Sequence, residues 1–181
     1  YSATVGLGGS GGDGGNAGQK VAVATDSSGS VTTSGVSAHG ILAQSVGGGG
    51  GAVIGVGNAL TASFNKGRGA AGAVTVNVFA DISTSGDGAH AIVAQSVAGG
   101  GGLVASGTQT AAYKGGDGKS GDVTVNYAAG VKVTASGRGA YTFWGSSSTD
   151  PIVNVAEGAS LVGGSGGAAM YFEGPINELN N

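Results

Sequence analysis

Short runs with an apolar residue at every second position recur along the chain and predict β-strands. In residues 21–25, 74–78 and 123–127, valine occupies alternate positions, with alanine, threonine or asparagine between. This period of two is typical of a pleated, half-buried strand. A shorter run of the same kind follows each of them, at 31–33, 82–84 and 131–134. Glycine, aspartate, asparagine and serine separate the runs as turns, and no window shows sustained helical periodicity.

The runs belong to an internal repeat. Segments 34–51 and 85–101 share the pattern Ala-His-X-Ile-X-Ala-Gln-Ser-Val followed by glycines, so that His39 corresponds to His90, 51 residues later. Gln44 and Ser45 correspond to Gln95 and Ser96 in the same way. A third, decayed copy begins at Ser136, where Tyr141 takes the histidine position, Phe143 takes the isoleucine position and serines replace the polyglycine.

The repeat selects a fold class. One unit of small-residue strands cannot bury its own face, whereas stacked copies share a continuous core. We therefore predict an all-β parallel β-helix, or β-solenoid, with glycine-rich loops, and interpret residues 1–181 as a single solenoid fragment. Its repeats lie at about 8–58, 59–109 and 110–150, and residues 151–181 form a divergent terminal coil. Each repeat makes either two coils or one coil plus a glycine-rich excursion.

The strand alternation also predicts which residues form the core. Ile41, Ile92 and Phe143 occupy one slot of the repeat, and we expect them to stack inside the solenoid. Their neighbours Leu42, Val93 and Trp144 then point outwards, where an apolar row needs a cover. The glycine-rich segments 47–51 and 98–102 are the expected covers, because glycine allows close backbone approach.

Composition narrows the function classes. Glycine supplies 42 of 181 residues, charged residues only 9%, and the net charge is −3. The few basic residues are scattered, which argues against nucleic-acid binding. Cysteine is absent, so there is neither a disulfide nor a cysteine-ligated metal. Residues 27–65 carry no charge, but glycines and polar residues interrupt them too often for a membrane helix. The chain begins at Tyr1 without a signal peptide, and we expect it to be a piece of a longer protein.

A resemblance adds to this interpretation. The strings AHGILAQSVGGGGG and AHAIVAQSVAGGGG, each preceded by a Val-rich strand and a Ser-Gly turn, resemble repeats in the passenger domains of large bacterial autotransporters, which use type V secretion. The terminal GASLVGGSGGAAMYFEG is similar to the coils of such passengers nearer their membrane anchor. The resemblance covers about residues 8–174 and implies a right-handed β-helix, export through the outer membrane and exposure at the cell surface.

The absence of cysteine fits passage through a narrow pore. The third copy departs from the pattern, which suggests that the array ends there, and the family shares no single activity, so no functional residue is carried over.

Candidate chemical motifs are weak. Segments 8–12 and 163–167 match GxSxG, residues 6–11 match GxGxxG, and Lys119-Ser120 partly matches a phosphate loop, but no helix follows any of them. Asp13 with the glycines before it resembles a calcium β-roll repeat, yet Asp117 breaks the spacing, and ten acids cannot supply an array of sites.

Repeated polar residues are interpreted as structural. His39 and His90 are expected to lie above one another or one coil apart. Two stacked imidazoles could bind a metal or titrate, but we expect them to pack in a turn or face solvent, and Asn77 and Asn126 to form a side-chain ladder. A catalytic groove would need acids and bases that converge, but four aspartates fall in different repeat slots, and nothing is expected to cluster around Arg138: Asp81, Asp87, Asp122 and Asp150. The sequence thus predicts no catalytic, cofactor-binding or metal-binding residue and no cofactor.

We accordingly expect a non-catalytic stalk or adhesin segment of an extracellular, outer-membrane-exported surface protein. Its expected partners are host-surface or matrix ligands, glycans or further copies of itself, and nucleic acid is not expected. We expect it to be attached to a membrane only through a translocator outside these residues. The alternatives are a glycan-binding or glycan-degrading β-helix, and an ice-binding solenoid with threonine rows such as Thr32 and Thr134, which Ser83 interrupts.

Overall fold

The fold consists of β-strands joined by turns. The computed structural model describes residues 20–55, 67–113, 115–147, 151–173 and 178–181. Within these ranges the chain forms sixteen strands and no helix, which confirms the all-β prediction.

Three parallel sheets run side by side along the molecule. Sheet A contains β1 (Val21–Ala24), β5 (Val74–Val78), β10 (Val123–Tyr127), β13 (Ile152–Val155) and β16 (Glu178–Asn180), in that order. Sheet B contains β2 (Ser30–Thr33), β6 (Asp81–Thr84), β11 (Lys132–Ala135) and β14 (Ser160–Val162). Sheet C contains β3 (Ile41–Val46), β7 (Ile92–Val97), β12 (Phe143–Ser147) and β15 (Met170–Glu173).

The chain visits sheets A, B and C in turn and then returns to sheet A beside its starting strand. Each circuit is one coil of a parallel β-solenoid, the class expected from the repeat. Ile41 pairs with Ile92 and Ile92 with Phe143, so one repeat advances the structure by one strand. Between the two possibilities left open by the sequence, the structure therefore has one coil plus an excursion.

The excursions form a fourth sheet, sheet D, outside sheet C. It contains β4 (Gly51–Gly55), β8 (Gly102–Ser106) and β9 (Gln109–Tyr113), with β4 parallel to β8 and β8 antiparallel to β9. The hairpin of β8 and β9 belongs to the second coil. Phe143 pairs with Met170, only 27 residues later, and the described residues between them contain no such excursion.

The main core lies between sheets A, B and C, where the predicted inward row is confirmed. Ile92 and Phe143 are fully buried, and Ile41 packs against the same cluster. Val74, Val76 and Val78 of β5 point into this core, while the residues between them face outwards. The period of two in the sequence is thus the alternation between core and surface.

A second, smaller core lies on the outer face of sheet C. Val93 and Trp144 point away from the main core, as predicted, and pack against Leu103 of β8. The prediction that glycine-rich segments cover this row is wrong, because β8 and the partly buried Ala112 of β9 provide the contacts. A glycine has no side chain with which to fill that space.

The glycine runs instead pack against one another. A Cβ atom on Gly50 would overlap the carbonyl group of Gly101, and one on Gly69 would overlap the backbone at Gly47 and Gly48. Gly100 is buried and has a φ of 81°, so a side chain at this position is disfavoured. These runs form a backbone-only layer beside sheet C.

Candidate functional site

The repeated Gln and Ser residues of sheet C hold the excursion and the next coil in place. The Nε2 group of Gln44 donates to Oε1 of Gln95 at 2.6 Å, and Nε2 of Gln95 donates to the carbonyl of Gly102 at 3.1 Å, where β8 begins. Ser96 donates to the carbonyl of Gly72 at 2.9 Å and accepts from the N–H of Gly121 at 2.8 Å. The most conspicuous motif of the sequence is therefore a set of structural anchors.

The histidines stack on one another, as their equivalent positions predicted, with His90 buried and His39 half-buried. The rings of His39 and His90 are nearly parallel, with centroids 5.0 Å apart. The ring of Tyr141 lies 5.1 Å beyond that of His90 and also packs against Tyr171 at 5.3 Å. His90 has no exposed surface, so it packs inside the structure and does not face solvent.

Hydrogen bonds determine the protonation state of this stack. Nδ1 of His39 accepts from the backbone N–H of His90, and Nδ1 of His90 accepts from that of Tyr141, both at 3.1 Å. An accepting nitrogen carries no proton, so both imidazoles are neutral with the proton on Nε2. In His90 that Nε2 faces the Thr110 hydroxyl of β9 at 2.7 Å. Burial lowers the pKa of His39 to about 4, and burial together with the neighbouring His39 lowers that of His90 to about 3.

The predicted asparagine ladder is present on the outer face of sheet A and is longer than expected. Asn126 donates to Asn77 at 2.7 Å, Asn154 donates to Asn126 at 2.6 Å, and Asn180 donates to Asn154 at 2.7 Å. Sequence reasoning missed Asn154 and Asn180 because the last coils are shorter than the 51-residue repeat. The recurrent Val-Asn pair, read without regard to spacing, would have found Asn154.

Four stacked β-turns join sheet B to sheet C. In each turn, the N–H of the fourth residue donates to the carbonyl of the first, as from Ala89 to Gly86 at 3.0 Å. The third residue has positive φ, which favours glycine. These residues are Ser37, Gly88, Gly139 and Gly166, with φ of 52°, 64°, 66° and 75°. The second residues of the turns form a surface row: Val36, Asp87, Arg138 and Ser165.

The turn of the β8–β9 hairpin rests on the first two of these β-turns. The Ser37 hydroxyl donates to the carbonyl of Gly107 at 3.1 Å, and a Cβ atom on Gly88 would overlap that same carbonyl. A Cβ atom on Gly139, in the third turn, would still approach Thr108 of the hairpin turn, whereas one on Gly166, in the fourth turn, would meet nothing within 4 Å. The resulting step bounds an open groove of about 570 Å³, which we call the step groove. Its lining comprises the turn row, Gly107, Thr108, Gly139, Tyr141 and Gly166.

An ion pair lies in the step groove. Nη2 of Arg138 donates to Oδ2 of Asp87 at 2.6 Å, and the backbone N–H of Arg138 donates to Oδ1 at 3.1 Å. These two bonds, the side-chain one first, lower the pKa of the Asp87 carboxyl group. The expectation that nothing clusters around Arg138 is wrong, because turn stacking brings residues 51 positions apart into contact.

The other candidate residues are not brought together. Asp81 caps the backbone N–H of Lys132 at 2.8 Å, Ser120 accepts from the N–H of Ala98 at 3.2 Å, and Asp117 and Asp122 are exposed. Asp13, Asp150 and the glycine motifs within residues 6–12 lie outside the described residues. Within the described ranges, no three His, Asp or Glu side chains are grouped as metal ligands would be. Ser165 of the second GxSxG match lies in a β-turn.

The threonine row proposed for ice binding is in register. Thr32 pairs with Ser83 and Ser83 with Thr134, as the repeat spacing implied. The parallel row on the same face contains Asp81 and Lys132, and the next residue after Thr134 is Val162. The face is therefore mixed in chemistry and does not present a regular array.

Two further findings bear on function. Over the part of the chain that the structure describes, no helix is long and apolar enough to cross a membrane. Comparison of the chain with protein-family models, with curated proteins and with solved structures finds no match.

Proposed function

We propose that this chain is a non-catalytic structural segment of the passenger domain of a large bacterial autotransporter, serving at the cell surface as part of a stalk or adhesive fibre. The observation that carries the proposal is the axial continuity of the solenoid. Side chains one repeat apart contact each other along several rows, in the core, in the His–Tyr stack and in the asparagine ladder. Such rows make a module whose coils support one another and whose length is set by copy number.

We further propose that the coils wind in the right-handed sense and that glycine-rich loops carry the excursions outward. Crossover connections between parallel strands of one sheet are right-handed in about 98% of cases. The glycine runs that precede β4 and β8 supply the backbone conformations with positive φ, as at Gly48 and Gly99. These two features follow from general rules of chain packing and complete the predicted fold.

Copy number provides a direct test of the stalk role. Ten additional copies of residues 59–109, inserted in tandem, should lengthen the particle by about 48 Å, because each copy adds one strand spacing of about 4.8 Å. Electron microscopy of the purified chains measures this length. A globular particle that grows in all directions would contradict the role of a stalk.

Surface display tests the export proposal. The chain is placed between a signal peptide and an autotransporter translocator in a Gram-negative host, and intact cells are labelled with antibody and treated with protease. We expect the segment to be labelled and cleaved on intact cells. Retention in the periplasm, with the translocator itself correctly inserted, would contradict the proposal, and release of reducing sugar from polysaccharides by the purified chain would show an enzyme instead.

A further inference from the structure

The step groove combines an open concave shape with several polar groups of different kinds. Its volume of about 570 Å³ lies in the range of ordinary small-ligand sites. Its lining offers a carboxylate, a guanidinium group, the hydroxyl groups of Thr108 and Ser165, and three glycines with positive φ. None of these groups belongs to the main core, and the stalk role does not require them.

We propose that the step groove binds a neutral saccharide. A sugar hydroxyl both donates and accepts, and Asp87 supplies an acceptor next to the donors of Arg138. Because the two side chains are paired at 2.6 Å, their charges largely cancel, which disfavours an anionic ligand. The side chain of Val36, 42% exposed, offers an apolar contact for the C–H face of a sugar ring.

The groove is held in shape before any ligand arrives. Tyr141 lies between the rings of His90 and Tyr171, at 5.1 and 5.3 Å, so its side chain has little freedom to lose on binding. On the opposite wall, the hairpin turn is fixed by the bond from Ser37 to Gly107. The backbone N–H of Gly139 donates to the carbonyl of Ser165 at 3.0 Å, which ties the third turn to the fourth.

The decay of the third repeat explains why the site occurs at this place. In the second coil the glycine run leads into the β8–β9 hairpin, which covers the turn at Gly88. In the third copy the glycines are replaced by serines, and within the described residues no hairpin follows β12. The turns at Arg138 and Ser165 are therefore left open beside the hairpin edge. This inference goes beyond the stalk role and does not depend on how the chain reaches the cell surface.

The test is an NMR titration of the ¹⁵N-labelled chain, whose mass of 16.8 kDa suits the method. The probes are chitotriose, cellotriose and maltotriose, with a heparin-derived tetrasaccharide as the anionic comparison. We expect saturable shifts of the backbone amides of Gly107, Thr108, Arg138 and Gly139 with at least one neutral trisaccharide, at dissociation constants of about 1 mM. Absence of shifts with all three, shifts that map to another surface, or binding of heparin alone with loss in salt would each overturn the proposal.

Two variants and a control sharpen the test. Arg138→Gln should weaken binding at least about tenfold, because a charged hydrogen-bond donor is lost. Ser165→Trp should abolish binding by filling the groove from an exposed turn position. Lys132→Gln removes the same charge from an exposed site outside the groove and should bind like the parent. Unchanged affinity in both groove variants, with parental melting temperatures, would place the sugar elsewhere and overturn the assignment.

Discussion

The second and fourth coils pass through the same three sheets but bury their outer faces to different extents. All six residues of β7 are buried, whereas in β15, the edge strand of the same sheet, Tyr171 remains 41% exposed. The difference comes from the hairpin, whose Leu103 packs on Val93 and Trp144, whereas at β15 the N–H of Ala112 donates to the Glu173 carboxylate at 2.8 Å and Tyr171 stays exposed. Along this sheet the outward slot changes from Val93 to the large rings of Trp144, which Leu103 still covers, and of Tyr171; the two rings pack on each other at 6.4 Å. The inner core thus requires only stacked coils, while the outer core requires an added excursion.

The largest expected effect is on the inner core, which both coils share. Ile92→Asp places an unpaired charge between Ile41 and Phe143 and should cost more than about 4 kcal/mol, enough to prevent folding. Urea denaturation or, for an unfolded variant, circular dichroism measures this. The matched control is Ile54→Asp at a position that is 47% exposed, where the cost should be small. Parental stability of Ile92→Asp would show that the strand faces are assigned the wrong way round.

Acid should destabilise the covered region through its histidine stack. Between about pH 6.5, the pKa in the unfolded chain, and the folded values of about 3 to 4, the unfolded chain binds more protons. The free energy of unfolding therefore has its full value above about pH 7. It decreases as the pH falls through this window, by several kcal/mol in total. Urea midpoints measured from pH 7 to 4.5 test this, in a range where most carboxylates remain ionised.

A variant separates the histidine contribution from other titrations. His39→Tyr removes one titrating ring from the end of the stack. Tyrosine is chosen because the third copy of the repeat has Tyr141 at the equivalent position. Its urea midpoint should fall less steeply with acid than that of the parent. Equal slopes would mean that the acid sensitivity arises outside the stack.

The outer core should be less costly to damage than the inner one. Leu103→Ala removes the side chain that covers Val93 and Trp144 and should cost about 2–4 kcal/mol, since it leaves a cavity that the hairpin fills only in part. Trp144 fluorescence should shift to longer wavelength as water reaches the ring. Leu179→Ala, at a position 55% exposed, is the matched control. A loss as small as that of the control would show that the hairpin does not seal this face.

The smallest expected effect concerns the asparagine ladder, which runs through coils with and without a covering hairpin. Asn126→Ala breaks two hydrogen bonds of the ladder, to Asn77 and from Asn154, and should cost about 1–2 kcal/mol because the row is only partly buried. Thr124→Ala, on the same face of β10, should cost less. Identical denaturation curves for the two variants would show that the hydrogen bonds of the ladder do not stabilise the fold.

Much of the fold could be predicted from the chain. Spacing and alternation are enough to place Ile41, Ile92 and Phe143 in one row, because identical slots of a stacked repeat face the same way. The histidine stack and the start of the asparagine ladder follow from the same rule. The cover of Val93 was assigned to the wrong segment, because composition marks the glycines but not the strand that comes after them.

Local periodicity and copies one repeat apart are enough to predict the strands of sheets A and B, the repeat and the inward rows. The contact of Asp87 with Arg138 follows from the same 51-residue spacing, whereas the single coil per repeat and the groove beside the hairpin depend on tertiary packing. The step groove forms at the place where the outer layer, the β8–β9 hairpin, ends over the stacked coils. Its walls come from turns and a hairpin that are distant in the sequence, and the contacts between them depend on how far the excursion extends over the stack.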